Sequence, residues 1–302
     1  MHTIAKRLLV PLALPLVAFI LSTASYAADK IPVTASFSIL GDLVHVVGGD
    51  RVNVTTLVGP DEDAHLFEPK PAGAKSIAKA KLLVINGLGF EHWAQKLAKS
   101  VGYKGETVVA TKGVNGRTMQ SENGAVEADP HAWQNPGNVV LYVRNIAAGL
   151  ASVDAAGAST YRANAEAYVK ELQTLDAWAR EQVATIPVEK RKVITSHDAF
   201  GYFADHYQIK FLAPQGISTE AEPSAKQVAR LIKQIQREKI KAVFVENMSN
   251  PKLLAQLSND AGVTLGAALY ADALSAADKP GASYLQMMRH NVTQLVAGMK
   301  LN

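Results

Sequence analysis

The stretch STYRANAEAYVKELQTLDAWAREQVATI, residues 159–186, decides how the rest of the chain is interpreted. Ser159 or Thr160 can cap the start of a helix here, and Pro187 follows where a helix cannot easily continue. Apolar or small residues recur here in steps of three and four, and this spacing places them in one stripe along a helix. The stripe consists of Tyr161, Ala165, Tyr168, Leu172, Leu175 and Ala179. We predict one long amphipathic helix that spans roughly 40 Å.

Strand and helix patterns alternate on both sides of this helix. Predicted strands lie at residues 33–37, 52–58, 81–86, 107–110, 192–195, 209–212, 241–245 and 263–269. Such alternation is typical of α/β lobes with mostly parallel sheets flanked by helices. We predict two small lobes, residues 28–156 and 188–302, joined by one long rigid α-helix at 157–187. Residues 112–128 are polar and contain glycine, which predicts a loop.

The first 27 residues have the pattern of a secretory signal peptide. Lys6 and Arg7 precede an apolar run, and small residues lead to a cleavage site after Ala27. A membrane anchor is the alternative, but Pro11, Pro15 and a run shorter than about 20 residues count against it. The 302 residues contain no cysteine, so we expect no disulfide and no lipid-modified cysteine. The expected location is the periplasm, as a soluble protein that is not a lipoprotein.

Composition excludes several function classes. A hydrophobic fraction of 48% and a charged fraction of 19% are those of a globular protein. The net charge of +4 includes two residues of the signal peptide, and no dense Lys/Arg run occurs elsewhere, so we expect no nucleic acid as a partner. Gly87 and Gly89 lack a third glycine at position 92, which is His92, so a dinucleotide fingerprint is rejected.

Four residues are candidate metal ligands. His65, His131 and His197 each follow a strand or an irregular stretch and precede a helix, and Asp272 follows the last predicted strand. Side chains at such positions converge in α/β folds. Spacing alone leaves open whether they bind metal, because no short motif such as two histidines one helical turn apart is present.

Acidic residues accompany the three histidines. Asp63 and Asp129 precede His65 and His131 by two residues, and Asp198 directly follows His197. A carboxylate can hold the second nitrogen of a ligating imidazole and fix its tautomer. Surface or half-buried positions are expected for the other mature-chain histidines, and Glu68 and Glu246 are expected near the same cleft.

Six segments carry a resemblance to a known family: DAHLFEPKP, DPHAWQNP, TSHDAFGYFADHY, QGISTEAEPSAKQV, AVFVENMSNP and LYADALS. In this order and spacing they resemble the periplasmic metal-binding subunits of zinc and manganese ABC importers, the cluster A-I solute-binding proteins. The resemblance implies that His65, His131, His197 and Asp272 bind one divalent cation between two lobes joined by a long helix. It also implies an integral membrane ABC permease as partner, no catalytic residues and no enzyme activity. We expect a monomer.

The resemblance bears on metal preference as well. Members that resemble manganese carriers tend to place Glu at the position of His197. Three imidazoles and one carboxylate suit Zn²⁺ better than Mn²⁺, which favours Zn²⁺ as the transported ligand, with Mn²⁺ or a broad Zn/Mn/Fe range as the alternative. Many zinc-dedicated relatives carry a histidine-rich insertion in the loop that is residues 112–128 here, and this loop contains no histidine.

Two other functions are alternatives for a chain with these candidate ligands. A secreted zinc hydrolase would need an open coordination position and a nearby carboxylate base such as Asp198 or Glu220, and no motif places either one. A structural metal in an adhesin or interaction module is the weaker alternative, because a site divided between lobes is poorly suited to stabilising one fold.

Overall fold

The computed structural model of the chain describes residues 29–120 and 126–302. The predicted signal peptide, residues 1–27, lies outside the described residues. Within the described part, no helix combines the length and the apolar character needed to cross a membrane.

The first lobe is built on a four-stranded parallel sheet with the order β2-β1-β3-β4. Its strands are β1 (Ile31–Phe37), β2 (Val52–Val58), β3 (Leu82–Ile85) and β4 (Glu106–Val109). The connecting helices are α1 (Ser38–Gly48), α2 (Pro71–Lys79) and α3 (His92–Ser100). Strand β3 is buried on both faces, which fits its continuous apolar sequence. Leu82 and Val84 join the main core, whereas Leu83 and Ile85 pack with residues of α2 and α3.

The segment predicted as a loop at 112–128 contains an antiparallel hairpin. Strand β5 (Arg117–Gln120) pairs with β6 (Val126–Asp129), with Arg117 opposite Asp129. The prediction of a loop was wrong because each strand is only four residues long and gives little periodic signal. Val126, an apolar residue of β6, is 69% exposed. Contacts with the second lobe hold the hairpin in place, since the Arg117 amide donates to the Tyr202 hydroxyl at 2.9 Å.

Helix α4 (Pro136–Val153) begins with Asn135 as its cap, whose side chain accepts from the Gly137 amide, and with proline at the first turn. Helix α5 (Ala158–Ala184) follows after a short turn. It is 27 residues long and confirms the predicted long helix. The predicted caps at Ser159 and Thr160 were wrong, because α5 continues out of a 3₁₀ turn and Gly157 takes the cap position without a side-chain hydrogen bond.

Helix α5 joins the two lobes through its buried stripe. All six stripe residues predicted from the sequence are buried, together with Val169 and Val183. The helix packs against α1, α4 and α9 (Tyr284–Met299). One continuous hydrophobic core contains the stripe and side chains from both lobes. The exact lobe boundaries, 28–156, 157–187 and 188–302, stay a prediction.

The second lobe has less regular strand structure than the first. Strand β7 (Lys192–Ile194) pairs in parallel with β8 (Lys210–Leu212). The helices are α6 (Gly201–Tyr207), α7 (Ala225–Glu238), α8 (Pro251–Ala261) and α9. Residues 241–245 and 263–269 form single parallel bridges instead of the predicted strands. The backbone of Gly266 lies directly on the Phe244 ring, where a Cβ would approach within 2.4 Å, so the two segments pack closely although neither forms a continuous ladder.

A polar cluster ties α5 to α6. Asp176 of α5 accepts from the Tyr207 hydroxyl at 2.8 Å and lies 2.7 Å from His206 Nε2 and 3.1 Å from Arg180 Nε. Burial by itself raises the pKa of the Asp176 carboxyl, but His206, Tyr207 and Arg180 outweigh it and lower the pKa to about 2. The ionised carboxylate therefore stabilises the joint between helix and lobe.

Replacing Asp176 with Asn should lower the free energy of unfolding at pH 7 by about 1–2 kcal/mol. The carboxyl has a lower pKa in the folded chain than its ordinary 3.8, so its contribution is present above about pH 4 and is lost as the pH falls toward 2. The difference from wild type should shrink by about half at pH 3, measured by urea unfolding at both pH values. Glu166→Gln, which breaks an exposed pair with Arg144, is the control and should have little effect. A difference that does not change with pH would contradict the prediction.

Candidate metal centre

Four side chains from both lobes meet in one buried cluster. One potential ligand atom from each of His65, His131, His197 and Asp272 lies within 4.8 Å of the others. His131, His197 and Asp272 are fully buried, and the His65 side chain is 6% exposed. The structure thus brings together all four residues that the sequence singled out.

Each residue lies just after a strand or bridge, on the side where the lobes face each other. His65 is in the loop between β2 and α2, and His131 follows β6. His197 follows β7, and Asp272 comes after the bridge between Glu246 and Leu269. The carboxyl ends of parallel strands commonly collect ligand-binding residues.

The donor atoms of the cluster face one another without hydrogen bonds. Asp272 Oδ2 is 3.3 Å from His65 Nε2 and 3.0 Å from His197 Nε2, and Oδ1 is 3.6 Å from His131 Nε2. These five atoms are buried and have no hydrogen-bond partner of acceptable geometry. Unsatisfied buried polar atoms are costly, so their convergence indicates a ligand that is not a hydrogen-bonding side chain.

Residues in and around the cluster stabilise one another's charged forms. Burial by itself raises the pKa of the Asp272 carboxyl, but the surrounding imidazoles outweigh it and hold the pKa well below its usual range. Burial by itself lowers the pKa of His197, but Glu246 and Asp272 outweigh it and raise the pKa well above its usual value. The same carboxylates would stabilise a divalent cation in place of the proton.

Carboxylates outside the cluster orient two of the imidazoles. Asp129 Oδ1 lies 2.9 Å from His131 Nδ1 and accepts from the His131 amide. Glu246 contacts His197 Nδ1 and accepts from the His197 amide. Each carboxylate therefore fixes which nitrogen, Nε2, points into the cluster.

Some of the acidic residues that the sequence indicated hold a cluster histidine, and the others do not. Asp129 holds its histidine as expected, and Glu246, expected near the cleft, holds His197. Asp198 does not hold His197, and Asp63 accepts from the His65 backbone amide at 2.8 Å instead of the ring. Glu246 is 49 residues from His197, so no local spacing could have paired them. Glu68 and Glu220 are exposed.

Two indoles hold the backbone next to cluster residues. Trp133 Nε1 and Gln134 Nε2 both donate to the carbonyl of Ala271, which precedes Asp272. Trp93 Nε1 donates to the carbonyl of Ala64, which precedes His65. The first pair crosses between the lobes, whereas the second lies within one lobe.

A cavity of about 470 Å³ adjoins the cluster. His65 and Phe90 line it together with Glu127 of the hairpin and Glu220 of the second lobe. Among the four cluster residues, His65 is the one on this wall and the one with some exposure. An ion entering by this route would meet His65 first.

Comparison with known proteins identifies a family and solved structures that this chain resembles. The family described as zinc-uptake complex component A, periplasmic (ZnuA), matches residues 33–298. The manganese-binding lipoprotein MntA of Halalkalibacterium halodurans is 34% identical over 90% of this chain and 89% of its own length. The iron-binding protein YfeA of Yersinia pestis is 32% identical over 91% and 88%. The periplasmic zinc-binding protein TroA of Treponema pallidum superposes with a TM-score of 0.84 at 26% identity, over 89% of this chain and 99% of its own.

These relatives correct one expectation from the sequence. MntA and several further relatives are named lipoproteins, so the prediction of a soluble protein that is not a lipoprotein was wrong. That prediction depended on the absence of cysteine from the 302 residues alone. Placement outside the cytoplasm agrees with the family description.

Trp133→Phe should lower the free energy of unfolding by about 2 kcal/mol, because it removes a buried donor and part of a fully buried ring. Trp93→Phe removes the same kind of donor from a half-buried ring and should cost about half as much. Chemical denaturation of both variants measures the difference. Equal losses would mean that the contact between the lobes at Ala271 contributes nothing beyond an ordinary indole hydrogen bond.

Proposed function

We propose that this chain, which belongs to the family of zinc-uptake complex component A periplasmic proteins, holds its cargo cation on His65, His131, His197 and Asp272. Family membership makes it a metal-binding, substrate-binding component of an ABC transporter and not an enzyme. Its partner is therefore a membrane permease. The remaining questions concern the ligands, the metal and the way it is released.

The buried atoms without hydrogen-bond partners are the observation that carries the ligand assignment. Metal–nitrogen bonds of about 2.0–2.1 Å in a tetrahedral site require ligand atoms about 3.3 Å apart. The nitrogen–oxygen separations in the cluster are 3.0, 3.3 and 3.6 Å. The four ligand atoms lie within 4.8 Å of one another, so a first-row divalent cation would fit between them after a small contraction and would give the three Nε2 atoms and Asp272 a partner.

Zn²⁺ is the preferred cargo in this proposal. Three imidazole nitrogens and one carboxylate match the borderline-soft character and low coordination number of Zn²⁺. The intrinsic affinity order of nitrogen-rich sites also places Zn²⁺ above Mn²⁺ and Fe²⁺. Each of His131 and His197 is already oriented by a carboxylate, as is common for zinc-bound imidazoles.

Mn²⁺ or Fe²⁺ is the second candidate, and a specific feature favours it. Both oxygens of Asp272 point into the cluster and lack hydrogen-bond partners, so this carboxylate could bind through both and raise the coordination number. Higher coordination with oxygen ligands suits Mn²⁺. Relatives named for manganese and for iron support this candidate as strongly as the family description supports zinc.

Binding and release without chemistry would account for the site. With four protein ligands around one cation, no coordination position is reserved for a catalytic water. Because the ligands come from both lobes, any movement that separates the lobes or shifts the His65 loop removes ligands and weakens the hold on the cation. The permease would receive the ion after such a movement.

The first experiment is a competition for metal. Metal-free protein offered an equimolar mixture of Zn²⁺, Mn²⁺ and Fe²⁺ should take up one equivalent of zinc, measured by elemental analysis after removal of free metal. Comparable amounts of manganese or iron would reject the zinc preference and leave the carrier role in place. Uptake of no metal would reject the carrier role itself.

His197→Ala should weaken zinc binding by orders of magnitude while the chain stays folded, because it removes one nitrogen ligand from a site of four. Titration against a chromophoric chelator measures the affinity, and circular dichroism checks the fold. His45→Ala is the matched control, since His45 is exposed on α1, and it should bind zinc like wild type. Unchanged affinity of His197→Ala would remove this residue from the site.

A further inference from the structure

Arg117 links the candidate metal centre to the second lobe. Its Nη1 donates to Asp129 Oδ2 at 2.9 Å, and its Nε donates to Asp205 Oδ2 of α6 at 2.7 Å. Asp129 uses its other oxygen, Oδ1, to hold His131 Nδ1. Two contacts of 2.9 Å therefore connect the guanidinium of Arg117 to a cluster imidazole.

The two supporting carboxylates differ in the groups that balance their charge. Glu246 accepts from backbone amides of residues 196 and 197 and from the Ser249 hydroxyl, in addition to its contact with His197. Those partners are neutral. Asp129 is equally buried but shares its charge with Arg117. A full positive charge is thus fixed beside one side of the proposed cation site.

Gly201 has no side chain, and this leaves the space that the Arg117 guanidinium occupies. A Cβ at position 201 would lie 2.0 Å from Arg117 Nη1 and 2.5 Å from Asp129 Oδ2. The first residue of α6 must therefore be glycine for Arg117 and Asp129 to meet as they do. The contact depends on residues from both lobes.

We propose that Arg117 is an affinity-setting residue, a fixed counter-charge that limits how tightly the site holds its divalent cation and so permits release. This rests on the proposed carrier function. In the metal-free chain Arg117 neutralises Asp129, which would otherwise be a buried carboxylate with one unpaired oxygen. When a cation occupies the cluster, the same arginine repels it.

The size of this repulsion is substantial. At an effective dielectric constant of about 20, a unit charge and a divalent cation roughly 10 Å apart repel enough to change an equilibrium constant by about two orders of magnitude. The Arg117 side chain is 26% exposed, so solvent screening reduces the expected effect to about tenfold. Asp205 is 68% exposed and offsets little of the charge.

Arg117→Gln tests the proposal, because glutamine keeps a donor for Asp129 but carries no charge. The variant should bind Zn²⁺ about tenfold more tightly than wild type and should lose it more slowly to excess chelator. Arg117→Lys keeps the charge and should bind within about threefold of wild type. Arg144→Gln removes an arginine of an exposed pair on α4 and should not change zinc affinity. Affinities come from chelator competition, and circular dichroism confirms folding.

Arg117→Met is a second route if Arg117→Gln does not fold. Its unbranched side chain fills similar space without a charge, so zinc binding should again tighten by about tenfold, and weaker or unchanged binding in this variant would equally overturn the proposal.

Weaker or unchanged zinc binding in Arg117→Gln, with normal binding in Arg144→Gln, would overturn the proposal and make Arg117 a purely structural contact between the lobes. Equal tightening in Arg117→Lys would also overturn it, because charge would not be the cause. Absence of metal binding in wild type would instead reject the carrier function, so the two failures are distinguishable.

Discussion

The rest of the structure depends on one constraint: the carboxylate of Asp272 is fully buried with neither oxygen hydrogen-bonded. A buried ionised carboxylate must be paired, and three imidazoles from two lobes lie against it. Holding them there requires a scaffold that fixes both lobes at once. Helix α5 and the contact of Trp133 with the Ala271 carbonyl supply that scaffold. The fold therefore keeps these donor atoms close together, whereas in an unfolded chain each of them would be hydrated separately.

The sequence predicted the parts of the fold that carry a strong periodic signal. The stripe of α5 and the strands of the first sheet are apolar on the face or faces that become buried, so local pattern and tertiary packing agree. The paired strands β5 and β6 could not be found in this way, because each is only four residues long and contacts of Arg117 with Tyr202 and Asp129 hold them. The strand predictions for residues 241–245 and 263–269 are a different case. Their pattern is apolar, but the structure joins these segments through single parallel bridges and through packing of Gly266 on the Phe244 ring.

The candidate site could be predicted from the sequence for a related reason. Its four main residues lie where strands end, and the topology of an α/β fold brings such positions together. The resemblance to metal-binding subunits selected the same four. Supporting residues were harder to identify, because their partners are distant in sequence. Glu246 reaches His197 across 49 residues, while the adjacent Asp198, among the described residues, makes no hydrogen bond to the His197 ring. Nearness in the chain was a good guide only for Asp129, where the turn before His131 lets one carboxylate bind both the amide and the ring.

Release of a cation from the proposed site has to be reconciled with the stiffness of the joint between the lobes. The buried stripe of α5 belongs to one continuous core that includes side chains of both lobes, so a wide hinge movement would expose apolar surface along the whole helix. The His65 loop is different, since polar contacts hold it to the second lobe: the Thr219 hydroxyl donates to Asp63 at 2.7 Å, and Asn247 Nδ2 donates to Asp61 at 2.7 Å. Polar contacts of this kind exchange with water at small net cost. Movement of this loop would withdraw His65, the most exposed of the four residues, and open the cluster toward the adjoining cavity. It would displace only Ala64 of the core residues next to His65, together with the hydrogen bond from Trp93 to the Ala64 carbonyl.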